Sequence, residues 1–433
     1  MLIWHMTGTR SGRPPDIAAA IRSFDVTPAP LFGRIVRRPP PVKTAVYNWP
    51  AGRYYDSAND ASPDMTKPLR IVPLAALFAC GLFLRGPAAA AEEPAPERDP
   101  YKARLIGLPF VYYSPETKLA FGVGGVLNFR AGRLKEQTRT SSIWAYASYN
   151  LARQFTVLIK PEVYVKGNSL IFDGSLRYER TPQDFYGVGN DTLSADRESF
   201  TPRIFAVEIG VKRRVLGALF GGLRFDFERL TMEKVETGGL LDAGDIIGSR
   251  GGMIAGLGAS LGWDTRDAVL FPRDGALLQF SADAYGAAAG SDFTFNRLEI
   301  DLRKYLPLGT DRVLALQTYV VSTGGDVPFY KLALLGGDSH LRGYYKGRFR
   351  DKGLVLFQAE YRVLITKRIG VAGFAGLADI FSGFKELGQG NVKFSAGCGL
   401  RYVINKRDGA TVRFDMAWGE ASFGLYITAQ EAF

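Results

Sequence analysis

The sequence predicts an all-β protein: a single transmembrane antiparallel β-barrel of 16 strands. Segments of about ten residues alternate apolar and polar side chains from residue 105 onward, which is the pattern a membrane-crossing strand needs. The polar positions carry Arg, Glu and Asp on nearly every segment, and the apolar positions are rich in aromatic and branched residues. The last segment, 421–432, sets Phe423, Leu425 and Ile427 against Gly424, Tyr426 and Thr428, and the sequence ends at Phe433. An amphipathic strand that runs to an aromatic residue is the ending used by bacterial outer-membrane barrels. It is read here as a C-terminal barrel signal.

The expected strands are 105–113, 118–129, 140–150, 153–166, 168–180, 201–214, 218–231, 250–264, 274–286, 294–306, 311–322, 353–364, 368–379, 391–404, 410–417 and 421–432. Residues 204–214 direct Phe205, Val207, Ile209 and Val211 to lipid and Glu208 and Lys212 inward. Residues 219–229 place Leu223, Phe225 and Phe227 outward, with Arg224, Asp226 and Glu228 inward. In 294–306, Leu298, Ile300 and Leu302 face lipid while Arg297, Glu299, Asp301 and Arg303 face the lumen. Residues 355–365 turn Gln358, Glu360 and Arg362 inward, and 410–417 do the same with Arg413 and Asp415. A soluble sandwich would not require charge on almost every inner face. A membrane barrel does, because a charge facing the bilayer midplane costs roughly 2–4 kcal/mol and the sheet must close. An even strand count returns both ends to the periplasm. The long connections 181–200, 232–249, 323–352 and 380–390 then fall outside the cell.

Composition agrees. At 46% hydrophobic and 22% charged, with 50 Gly, the chain is too apolar for disorder and too charged for a helical membrane protein. Of the +11 net charge, residues 1–91 hold 11 Lys/Arg against 5 Asp/Glu, leaving +5 spread over the remainder. No clustered basic face marks a nucleic-acid partner. Cys80 and Cys398 offer no metal-type spacing, and His5 and His340 are the only histidines. No metal, cofactor or catalytic residue is implied. Cys398 shares the lipid-facing phase of Leu400 and Tyr402.

The front of the chain is processed sequence. Met65 opens a secretory signal peptide over 65–91: Lys67 and Arg70 are the positive region, Ile71 to Leu84 the apolar run, and Ala88 to Ala91 the small-residue cleavage site. That run is too short for a spanning helix. Residues 1–64, Pro- and Arg-rich without a period, are read as an upstream extension from a misassigned start and are expected to be disordered. Residues 92–104 are a linker, too short for a periplasmic domain.

The 323–352 connection reads Leu335-Gly336-Gly337-Asp338-Ser339-His340-Leu341-Arg342-Gly343-Tyr344. It resembles the lumen-folded loop of the BamA/TamA-type outer-membrane barrels, the bacterial surface antigen superfamily. Further pieces resemble that family in the same order: Ser114-Pro115-Glu116-Thr117, Phe185-Tyr186-Gly187-Val188-Gly189-Asn190, and Trp263-Asp264-Thr265-Arg266-Asp267 leading to Phe271-Pro272-Arg273-Asp274-Gly275. The resemblance covers about 105–433 and implies that Leu341, Arg342, Gly343 and Tyr344 form a tip inside the lumen, with Glu360 as the wall partner of Arg342. The family's second wall Asp is replaced by Gly376, and Asp379 lies in the opposite phase. His340 is expected on the loop surface. Relatives carry periplasmic POTRA modules, and none is legible here.

The resemblance implies a non-enzymatic barrel in outer-membrane protein insertion or export, monomeric, set in outer-membrane lipid, with unfolded barrels or an exported protein as clients. The alternative is a closed structural or pore-like barrel. A lipid hydrolase would need a nucleophile and a base, for which His340 alone is poor material.

Overall fold

Alongside a three-residue strand, Gln183–Phe185, that pairs with the start of the sixth, sixteen long strands form the wall among the described residues, each antiparallel to the next. They are β1 (Arg104–Ser114), β2 (Lys118–Phe129), β3 (Ser141–Asn150), β4 (Phe155–Val165), β5 (Leu170–Arg180), β6 (Glu198–Leu216), β7 (Leu219–Val235), β8 (Gly251–Asp264), β9 (Gly275–Tyr285), β10 (Phe295–Pro307), β11 (Arg312–Gly325), β12 (Gly353–Leu364), β13 (Ile369–Phe381), β14 (Lys393–Asn405), β15 (Ala410–Gly419) and β16 (Ser422–Ala429). The computed structural model describes residues 103–132, 138–150, 154–268, 271–405, 410–420 and 422–433. The expected upstream extension and signal peptide, and most of the expected linker, lie outside the described residues.

The wall follows the period-2 logic. Leu223, Leu257, Phe357 and Leu400 stand exposed on the outer face, while Asp226, Glu228, Asp301 and Glu360 are buried on the inner one. A one-residue slip in any ladder would turn those carboxylates into lipid, so register is strongly fixed. β6 and β7 run for 19 and 17 residues, well beyond the 11 of β1. Where β6 begins, the ladder shifts between Thr201 and Pro202, a position that tolerates proline. Cys398 is exposed on the outer face.

The barrel closes weakly. β1 pairs with β2 along its whole length, from Arg104↔Asn128 to Ser114↔Lys118. Against β16 it has, among the described residues, one registered pair, Tyr113↔Ile427. The last strand also ends before the predicted 432. At Gln430 the backbone takes φ 69°, and the chain leaves the wall for the lumen. Phe433 is therefore absent from the lipid face. It is 3% exposed and packs on Tyr305, Val313 and Ala315.

The interior is divided. The side walled by β10–β16 is filled by the inserted loop. The side walled by β1–β5 keeps a cavity of about 1750 Å³, lined by Phe110, Tyr112, Trp144, Tyr146, Arg177 and Glu179 among others.

Candidate functional site

The connection from β11 to β12, residues 326–352, enters the lumen. Two short strands, Ala333–Leu335 and Phe349–Asp351, pair to make the base of the insertion. Its apolar side packs with the inner wall in one cluster that includes Tyr319, Val321, Leu341, Tyr344, Leu354 and Leu356. The tip is deeply buried: Leu341 is 1%, Arg342 2% and Tyr344 1% exposed. Leu341 holds φ 65° and Gly343 φ 109°. At Gly343 a β-carbon would lie 2.9 Å from Gly419 N and from Trp418 C, so both the torsion and the backbone approach exclude a side chain. The Gly343 N–H donates to Tyr426 Oη at 3.0 Å. Tyr344 Oη donates to Phe394 O and accepts from Glu420 N–H, each at 2.9 Å. The tip is thereby tied to β14, β16 and the β15–β16 turn.

Arg342 extends from that tip into a buried charge cluster. Its Nη2 donates to Glu360 at 2.5 Å and its Nη1 to Asp415 at 2.6 Å, with the guanidinium carbon 3.4 Å from the ring centroid of Phe374. Glu360 also accepts from Arg362 Nε at 2.8 Å and Arg401 Nη2 at 3.0 Å. Asp415 accepts from Arg401 Nη1 at 2.5 Å and Arg413 Nη1 at 2.9 Å. Arg401 Nε reaches Glu431 at 2.9 Å. Four guanidiniums thus face three buried carboxylates. Asp338, on the loop itself and half-exposed, adds a fourth at 3.3 Å from Arg413. Charges this dry are tolerated only because almost every one is hydrogen-bonded to an opposite partner.

The structure brings Arg342 and Glu360 together and supplies a partner that sequence reasoning did not assign. The second carboxylate on Arg342 is Asp415 of β15. Gly376 has no carboxylate to offer, and a β-carbon there would meet Leu341 Cδ1 at 2.9 Å and the Phe357 carbonyl oxygen at 3.0 Å. Asp379 is engaged elsewhere, accepting from Asn190 Nδ2 at 2.9 Å and the Gly388 N–H at 2.7 Å. The inward phase of Asp415 was legible, and so were those of Arg362 and Arg413. What could not be read was which of them the loop would meet. Of the residues read as the terminal signal, Phe423 is exposed on the outer face and Leu425 and Ile427 are half-buried there, while Phe433 is inside.

His340, expected on the loop surface, is half-buried on the side of the loop that faces the inner wall. Its ring stacks on Tyr319 at 4.2 Å and 11°. Burial, with a smaller push from Lys346, lowers its pKa to about 4, so it is neutral at physiological pH. Higher in the loop, Arg350 sits 4.9 Å from the ring centroid of Phe185, and its carbonyl accepts from the Gly189 N–H at 2.8 Å. Burial lowers this guanidinium to about 10. Arg348 lies 4.7 Å from the Tyr186 ring. The Phe185–Asn190 motif is therefore the outer seat of the loop. Lys346 N–H donates to Glu116 at 2.7 Å, joining the Ser114–Thr117 turn to the same assembly. Asp264 and Arg266 pair at the opposite end, in the β8–β9 turn, at 2.9 Å.

A family model, the Omp85 superfamily domain, matches residues 249–420, the span from the start of β8 to the β15–β16 turn. In fold the chain is similar to BamA from Haemophilus ducreyi lacking POTRA domains 1–3. The identity is 16%, covering 76% of this chain and 70% of that one, with a TM-score of 0.53. It is similar as well to CdiB from Acinetobacter baumannii, at 11% identity, 76% of this chain, 59% of that chain and a TM-score of 0.50. No curated protein matches the chain in sequence. The matched span contains the inserted loop together with Glu360 and Asp415, the two carboxylates on Arg342, so that part of the chain matches an Omp85 superfamily domain and the wall as a whole is similar in fold to these barrels.

Proposed function

We propose that this barrel inserts other β-barrels into the outer membrane or exports a protein across it, acting without catalysis and as a monomer. The observation that carries the reading is the seam. Along β1 and β16 the strand edges share one registered pair, although each is fully laddered on its other side. Unpaired backbone groups at membrane depth cost several kcal/mol each. An incoming strand that ladders with either edge would recover that cost, which is β-augmentation used as substrate capture. Pro109 cannot donate to a ladder and keeps the β1 edge incomplete.

The docked loop complements the seam. A wall with one weak junction needs its remaining strands held in place. The Arg342–Glu360–Asp415 contacts join β12 and β15 through the lumen, and Tyr344 adds β14. We assign Leu341, Arg342, Gly343 and Tyr344 to that clamp, with Glu360 as its principal anchor. Residues 65–91 are proposed as the signal peptide that sends the chain to the outer membrane, with 105–433 as the mature barrel.

The test is a quantitative outer-membrane proteome of a deletion strain against its parent. A selective fall in other barrels, or in one exported protein, is expected and would identify the client. An unchanged proteome would refute an assembly or export role.

A further inference from the structure

We propose that the outer face of β10–β14, at the end of the wall where β1 starts and β16 stops, is a binding strip for the phosphodiester headgroups of anionic glycerophospholipids in the periplasmic leaflet. On β10 the lipid-facing phase runs through Leu298, Ile300 and Leu302 to Lys304, and on β11 it runs back through Leu316 and Leu314 to Arg312. Each apolar row thus ends in an exposed cation. The β12–β13 turn adds Lys367 and Arg368, which are also exposed. Tyr361 and Tyr402 lie on the same outer face, 38% and 48% exposed, and Arg368 Nη1 donates to Tyr402 Oη at 3.4 Å. A cation that ends an apolar row and is flanked by tyrosines belongs at the level of lipid headgroups.

The strip stands out because its charge is free. Among the described residues Lys304, Arg312, Lys367 and Arg368 make no ion pair, whereas Arg303 and Arg362, on the inner face of the same strands, are held by Asp301 at 2.6 Å and Glu360 at 2.8 Å. The carboxylate of the β10–β11 turn, Asp311, accepts from Thr310 Oγ1 at 3.2 Å. At the opposite end of the wall the protein neutralises its own outward cations. Arg180 and Arg203 face each other across β5 and β6, and both donate to Glu233. Arg197 lies 3.6 Å from Asp184. A phosphorylated glycolipid in the outer leaflet would meet cations that already have partners, and a phospholipid in the inner leaflet meets cations that have none. Free cations are drawn to an anionic surface, and salt screens that attraction. A zwitterionic headgroup carries its own ammonium group, so an excess of positive charge selects a headgroup with net negative charge. The assignment of this end to the periplasm rests on the outer-membrane reading above. The charge pattern does not.

The experiment mixes the purified, folded barrel in detergent with equal amounts of phosphatidylglycerol and phosphatidylcholine and counts the retained lipids by native mass spectrometry. The parent is expected to keep phosphatidylglycerol in preference. Arg312→Gln and Lys304→Gln should each reduce that preference about fivefold, the factor that one cation near an anionic surface supplies. Arg203→Gln, at the other end of the wall, should leave it unchanged. Should a variant fail to fold, salt at about 1 M added to the parent serves instead and should abolish the preference. A parent without preference overturns the proposal. So does a preference that survives both Arg312→Gln and Lys304→Gln, or one that falls equally in Arg203→Gln, since net charge alone would behave that way. Inorganic phosphate distinguishes the source. Retention of phosphatidylglycerol in its presence supports a lipid strip, and displacement by it would make this a site for free phosphate and overturn the lipid assignment. No client enters the measurement, so its failure would leave the assembly reading standing, and an unchanged proteome in the deletion strain would leave the strip standing.

Discussion

Leu341 occupies the space above Gly376. A β-carbon at Gly376 would stand 2.9 Å from Leu341 Cδ1 and 3.0 Å from Gln358 Cβ. The loop tip has taken the volume that a side chain on β13 would need, and the second anion for Arg342 comes from Asp415 on β15. Gly376→Asp is therefore expected to expel the tip and not to strengthen it. Overpacking costs about 1–3 kcal/mol, and an added buried carboxylate raises that. The temperature at which the folded band is lost on a gel should fall, and Leu341→Ala should recover part of the loss. An unchanged or higher transition in Gly376→Asp would show that the tip can share the seat.

The charge cluster should behave as one unit. Glu360 neutralises three guanidiniums at once, those of Arg342, Arg362 and Arg401. Glu360→Gln is expected to cost about 3–5 kcal/mol, because it strands buried positive charge. Arg342→Met alone should also destabilise. Combined with Glu360→Gln it should cost clearly less than the sum, since the double variant keeps the balance of charge. Additive losses in a double-mutant cycle would mean that the contact carries no coupling.

Period and charge made the wall legible. A strand with lipid on one side and a lumen on the other has only one acceptable phase, and the charges of Arg297, Glu299, Asp301 and Arg303 fix it. Nothing comparable constrained the interior. Asp415 was visibly inward, but the loop that reaches it follows no period, and its course depends on Gly343 fitting against Trp418 and Gly419. The departure of the chain at Gln430 was illegible for a related reason. Glutamine has no preference for φ 69°, and the turn is imposed by distant groups, Arg362, Arg401 and the floor under Phe433. The stack of His340 on Tyr319 was equally illegible, because a loop histidine carries no local sign of the ring it will meet.

Loop docking should weaken in acid through His340. Its pKa falls to about 4 in the folded barrel, against an ordinary value of 6.5. Between those values the unfolded state binds the proton and the folded state resists it, so stability drops as pH falls from 6.5 toward 4 and the drop levels off below. The groups that act on the imidazole are Lys346 and Arg303, which oppose protonation, and Asp301 and Glu299, which favour it. Carboxylates elsewhere also titrate as acid is added, so the informative quantity is the difference from His340→Phe. That variant should keep the stack on Tyr319 and show a flatter profile in this window. Parallel profiles would remove His340 from the account.

Gly343 should accept no substitution. Gly343→Ala places a methyl group 2.9 Å from Gly419 N and Trp418 C, atoms of a laddered strand end that cannot move aside as a side chain can. It also demands φ 109° from an alanine. The expected result is a folded wall with an undocked tip, read as protease cleavage within 336–347 while the barrel core resists. Tyr344→Phe is the milder comparison. It removes the hydroxyl that bonds Phe394 O and Glu420 N–H, and it should cost about 1–2 kcal/mol without exposing the loop. Equal protease resistance in Gly343→Ala and the parent would contradict the close approach.

The seam can be locked at its one registered pair. Tyr113 and Ile427 face each other across β1 and β16, and directly paired antiparallel residues have Cα atoms about 4.5–5.5 Å apart, within reach of a disulfide. Tyr113→Cys with Ile427→Cys should therefore crosslink under oxidation with little disturbance of the wall. If clients ladder with the open edges, the oxidised double variant should lose assembly or export activity, and a thiol reductant should restore it. Each single variant controls for the lost side chain. Full activity in the oxidised form, with the crosslink verified by mass, would mean that substrate passes by a route other than β1 and β16. The cavity on the β1–β5 side of the lumen would then become the path to test, because the loop lines it without filling it.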